Sequence, residues 1–117
     1  MNNTTLIKTL YQAVDDKNLT ALADFLADNV RFQIGNYDAI TGKNAALEAN
    51  HSFFSSITSM AHQITNVWDN GDHVLCNGHV DYIRLDGSGL SIPFATVLKI
   101  DADKIVDYQV YVGVSPL

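Results

Sequence analysis

The sequence predicts an α+β domain: a cone-shaped roll of N-terminal helices packed on a strongly curved antiparallel or mixed β-sheet. Three observations carry this expectation. Up to Met60 the apolar residues mostly recur at helical spacing, whereas after it they alternate in long runs divided by turn residues. Helices segregated ahead of a meander of strands is the α+β pattern. The 117 residues, 47% of them hydrophobic, suffice for one core and not for two, so residues 1–117 are read as a single domain.

Each element follows in order. Leu6, Ile7, Leu10, Tyr11 and Val14 mark an amphipathic helix that Thr4 or Thr5 can cap and that the polar stretch from Asp15 to Asn18 ends. Leu19 to Ala27 reads as a second short helix, with Thr20 and Asp24 facing water. Val30, Phe32 and Ile34 alternate with Arg31 and Gln33 as in a half-buried strand. Residues 35–38 and 41–44 are turn chemistry. From Asn44 a helical stripe runs through Leu47, His51, Phe54, Ile57 and Ala61. Strands are then expected over His62–Trp68, His73–Leu85, Leu90–Ile100 and Ile105–Val114, joined by turns at Asn70–Asp72, Asp86–Gly89 and Asp101–Asp103. Strands this long coil, and Pro93 inside the third is expected to bend or bulge it.

Composition narrows the function classes. A net charge of -6 with seven scattered Lys and Arg argues against nucleic acid and anionic membranes as partners. No apolar run approaches the roughly 20 residues that span a bilayer, and the opening residues Met1 to Thr5 give no expectation of a signal peptide. The one cysteine, Cys76, has no internal partner and reads as a small buried hydrophobe. A cytoplasmic location is the expectation. No P-loop or dinucleotide fingerprint occurs and the four histidines lack metal-site spacing, so neither cofactor nor metal is expected.

Several segments resemble one family. Residues 22–30, LADFLADNV, resemble a helix-to-strand junction of the nuclear transport factor 2-like superfamily, and Gly42-Lys43-Asn44-Ala45-Ala46-Leu47 resembles the opening of its third helix. The runs from Pro93 to Ile100 and from Lys104 to Val112 are similar to the ending of SnoaL-like proteins. The resemblance spans nearly the whole chain and implies the cone fold, a single SnoaL-like domain and an internal pocket. It does not imply one activity, because the superfamily holds isomerases, cyclases, epoxide hydrolases and non-catalytic binding domains.

Against the ketosteroid isomerase pattern, the general base falls on Ile34, the acidic oxyanion donor on Ala95 and the helix tyrosine on Leu10, beside Tyr11. Against the limonene-epoxide hydrolase pattern, Asp81 matches the acid, His79 replaces an arginine and the base falls on Val110. Neither set is complete. His79 and Asp81 remain, on one face of one strand, as an imidazole–carboxylate pair suited to acid/base work. Periodicity leaves their face open, while the resemblance implies that they point inward with Ile83.

The expected ligand is therefore a small apolar or aromatic molecule. Its pocket would be walled by Phe32, Ile34, Phe54, Trp68, Ile83, Ala95, Val97, Tyr108 and Val110, with His51 near the mouth and Tyr37 as a lid. Tyr82 and Tyr111 are expected on the outer face of the sheet, where the resemblance implies that two copies pack as a homodimer. The alternatives are a binding domain without chemistry and a pure dimerisation domain.

Overall fold

The fold is described over residues 2–117 of a computed structural model. Helix α1 (Asn3–Asp15) and helix α2 (Leu19–Phe25) lead into strand β1 (Leu26–Ile34) and the two-residue strand β2 (Ile40–Thr41). Helix α3 (Lys43–Ser55) follows, then β3 (Ile57–Asn70), β4 (His73–Arg84), β5 (Gly89–Asp101) and β6 (Lys104–Val112). The sheet order is β2-β1-β6-β5-β4-β3. All neighbours are antiparallel except β1 and β6, which are parallel, so the sheet is mixed.

Several boundaries move for physical reasons. Neither threonine caps α1: Asn2 does, its Oδ1 accepting the Thr5 N–H at 2.8 Å. Asn18 caps α2 in the same way through Ala21. The second helix stops at Phe25 because Leu26 is already extended and pairs with Ile105. Ile40 and Thr41 lie within a stretch that gives no strand signal, yet they pair with Phe32 and Arg31 as β2. The third helix ends at Ser55, so Ile57 and Ala61 belong to β3 rather than to its stripe.

Pro93 causes no bulge, since the β4–β5 register runs unbroken past it. It stands one residue beyond the last β6 partner pair, Phe94 with Val112, where a missing donor is tolerated. The bends lie elsewhere. In β3 the register slips between Ile64 and Asn66, leaving Thr65 as an extra residue opposite Gly78 and Asn77. A Cβ on Gly78 would stand 1.8 Å from the Gln63 carbonyl oxygen, so this close strand approach requires glycine.

The core lies in the trough of the bent sheet. From α1 come Leu6, Ile7, Leu10, Tyr11 and Val14; from β4 come Val74, Cys76, Val80 and Tyr82; all are buried. The inward set of β5 is Phe94, Thr96 and Leu98, and that of β6 includes Tyr108 and Val110. Each fully buried leucine or isoleucine here contributes about 2 kcal/mol of apolar transfer. Among the described residues, no helix is long and apolar enough to cross a membrane.

Gly78→Ala is expected to cost about 2–3 kcal/mol and lower the melting temperature by roughly 10 °C. An unchanged thermal midpoint would show that β3 does not need this approach.

Candidate functional site

The alternation of β4 decides where polar groups can act. Its even-numbered residues fill the core, so His79 and Asp81 stand on the opposite, outer face. Both side chains are 49% exposed, with His79 Nε2 and Asp81 Oδ2 3.9 Å apart. This corrects the expectation that they look inward: a molecule held inside the cone meets neither. Ile83, on the same parity, is outside as well and partly exposed. Ala95 and Val97 share the outer face for the same reason, because Phe94, Thr96 and Leu98 take the inner one. Tyr82, expected outside, is buried inside instead.

Two further corrections concern single residues. Without the extra residue Thr65, Trp68 would share the inward parity of Met60 and His62. The bulge turns it outward opposite Leu75, where it is 51% exposed. His51 is exposed on α3, because the helix buries the neighbouring turn positions Ala46 and Phe54. Phe32, Ile34, Phe54, Tyr108 and Val110 do stand on the wall of an interior cavity.

That cavity is small, about 30 Å³, and its wall is largely apolar; besides Asn50 it carries a polar cluster not foreseen from the sequence. His62 of β3 lies on it, with its side chain 8% exposed. Asp15, in the last turn of α1, grips His62 twice. Its Oδ2 accepts the His62 backbone N–H at 2.9 Å, and its Oδ1 lies 2.5 Å from the ring Nδ1. A carboxylate here accepts a proton held on Nδ1 and leaves Nε2 as the acceptor. The imidazole is fixed in the ring plane as well: it packs 4.4 Å from Tyr11 and edge-on, 5.0 Å, from Phe94.

Tyr11 is the second missed residue. Its hydroxyl shares a 2.5 Å hydrogen bond with Thr96, the buried polar residue of β5. Burial first, and then Tyr108 and Cys76, hold the Tyr11 phenol well above its ordinary pKa, against the Thr96 hydrogen bond. Tyr108 is likewise raised by burial, with smaller contributions that include the charge of Asp15. Both phenols therefore stay protonated as hydrogen-bond donors at neutral pH. One signal was present in the sequence: Tyr11 and Asp15 are four apart on one helix face. The parity of His62 with Met60 supplies the rest.

The cavity shares Phe32, Ile34 and Phe53 with an open groove of about 570 Å³ between α3 and the segment around Tyr37–Ile40. Ser52, Ser56 and Asp38 are its polar groups apart from the Tyr37 hydroxyl. Tyr37 lies at the rim, 59% exposed. Among the described residues no group of three or more His, Cys, Asp or Glu comes together as a metal site.

A family model described as the SnoaL-like domain matches residues 7–108. The chain belongs to the SnoaL-like domain family. None of the curated proteins matches this SnoaL-like chain. Solved structures do. A putative SnoaL-like polyketide cyclase from Jannaschia sp. CCS1 superposes with a TM-score of 0.83 at 14% identity, covering 94% of this chain and 84% of the other. A protein of ketosteroid isomerase-like fold from Catenulispora acidiphila, in complex with trimethylamine, gives 0.83 at 20%, covering 93% and 85%. An LEH-like epoxide hydrolase from M. tuberculosis gives 0.79 at 14%, covering 92% and 80%. At such identities the likeness establishes the fold and no activity.

The buried phenols and thiol set an alkaline limit on this SnoaL-like domain. Burial raises the Cys76 thiol from 9.0 to about 11 and the Tyr82 phenol from 10.0 to about 12. Above the ordinary value only the unfolded chain loses the proton, so stability falls as pH rises from about 9 towards 12. Urea midpoints measured across this range should fall, and should fall less in Tyr82→Phe; a flat profile would contradict the burial of these groups.

Proposed function

We propose that this SnoaL-like domain binds a small, largely apolar or aromatic molecule in the groove between α3 and β1, and that His62 acts on it as an acid/base group. The observation that supports this reading is the Asp15–His62 pair: a buried imidazole, oriented by a carboxylate, on the wall of an apolar cavity. Asp15 positions the ring and steadies the charge that His62 gains on taking a proton from carbon or water. The protonated hydroxyls of Tyr11 and Tyr108 can donate to an oxygen that becomes negative in the same step. Isomerase, cyclase, lyase and hydrolase steps can each use an acid/base group and hydroxyl donors of this kind.

The size of the cavity also admits a second reading. About 30 Å³ holds little more than one water, so the body of a ligand sits in the groove and only its end reaches His62. A domain that binds in the groove without chemistry fits this volume equally well. A homodimer is proposed through the outer sheet face. There the row Arg31–Asp107–Lys99–His73 lies at one end, Asp81 lies at the other, and apolar Leu75, Val97 and Tyr111 lie between.

A thermal-shift screen of steroids, terpenoid epoxides and aromatic polyketides should yield at least one stabilising class. For any compound that is also turned over, His62→Gln should lower kcat by about 10²-fold or more while binding persists. No stabiliser in these classes removes the ligand reading for them, and turnover unaffected by His62→Gln leaves the binding domain. In light scattering, Val97→Glu should turn a dimer into a monomer; a wild-type monomer contradicts the dimer.

A further inference from the structure

The electrostatics of the groove select the charge of its ligand, which deepens the proposed function and rests on the groove being the binding site. Among the described residues that line the cavity and the groove, none is lysine or arginine. Five of the seven basic side chains are engaged elsewhere, and the other two, Lys8 and Lys99, are not on the lining. Arg31 pairs with Asp107 on the outer face, and Lys43 lies 3.7 Å from Asp28. Lys17 donates to the carbonyls of Ile57 and Thr58, Lys104 donates to that of Asp24, and Arg84 donates to the carbonyl of Pro116. A carboxylate or phosphate entering the groove would shed water and meet no lysine or arginine on its lining.

The negative side of the balance is present twice. Asp38 lies exposed on the groove wall, next in sequence to Tyr37. Deeper in, Asp15 stands behind His62, and its charge contributes to raising the phenols of Tyr82 and Tyr108. The Tyr37 turn is pinned: its N–H donates to the Ile34 carbonyl at 3.2 Å, and its own carbonyl accepts from Gln33 Nε2 at 2.9 Å. The pinned turn places an exposed aromatic ring and an exposed carboxylate on the lining of one largely apolar groove. That pairing suits an ammonium group, which gains from both a ring face and a counter-charge.

We infer that the groove takes an organic amine, with its flat apolar body against Phe32 and Phe53 and its ammonium at the mouth between Tyr37 and Asp38. The body enters the groove as any apolar molecule of that size would; the charge adds the preference. Carboxylated analogues of the same body are disfavoured.

Calorimetric titration with three compounds of one skeleton tests this: 1-naphthylmethylamine, 1-naphthalenemethanol and 1-naphthoate, at neutral pH. The amine should bind about tenfold more tightly than the alcohol, and the carboxylate more weakly than either. Asp38→Asn should remove most of the amine's advantage over the alcohol, leaving the part that the Tyr37 ring supplies. The inference is overturned if the carboxylate equals the amine, or if Asp38→Asn leaves the amine its advantage. In those cases binding of the alcohol still supports the groove as a ligand site, whereas failure of all three compounds to bind overturns both readings.

Discussion

Asp15 holds His62 by both its backbone N–H and its ring, and this contact sets how α1 lies in the trough of the sheet. The helix reaches β3 at its C-terminal turn and brings Tyr11 and Leu10 over the inner residues of β4 and β5. Once α1 is fixed on that side, the parity of the central strands follows: Val74, Cys76, Val80, Tyr82, Phe94 and Thr96 must face it. Everything of the opposite parity, including His79, Asp81, Ala95 and Val97, is left to the outer surface. A half-buried carboxylate at a helix end is costly unless its oxygens find donors, and His62 supplies two.

The same contact joins structure to chemistry. A histidine whose Nδ1 is engaged by a carboxylate and whose ring is packed between two aromatics has one nitrogen and one orientation left for use. The site thus divides into two parts of different character. A tight polar cluster sits at the foot of the cavity, and a roomy apolar groove opens beside it. Division of this kind lets the groove choose the molecule while the cluster meets only its end.

Much of the fold was legible because its signals are local. The three-and-four spacing of α1 and the turn residues between β3, β4, β5 and β6 are properties of short segments. The site was less legible, because it depends on which side of each strand meets a helix. In β4 both parities carry apolar residues, Val80 and Tyr82 on one and Ile83 on the other, so alternation does not choose between them. The family resemblance pointed to His79 and Asp81, and packing against α1 chose the other set. Trp68 was lost for a further reason. A bulge at Thr65 inverts the strand beyond it, and its one trace in the sequence is a glycine, Gly78, on the neighbouring strand. In the sequence Asp15 marks only the end of a helix, since its partner lies 47 residues away.

Histidine ¹H–¹⁵N correlation spectroscopy of His62 tests the central claim most directly. The arrangement predicts a ring protonated on Nδ1 and bare at Nε2, with the Nδ1 resonance displaced in Asp15→Asn and the Nε2 resonance displaced when a molecule occupies the groove. A His62 whose ring averages both tautomers, and whose signals ignore the Asp15 substitution, would contradict it.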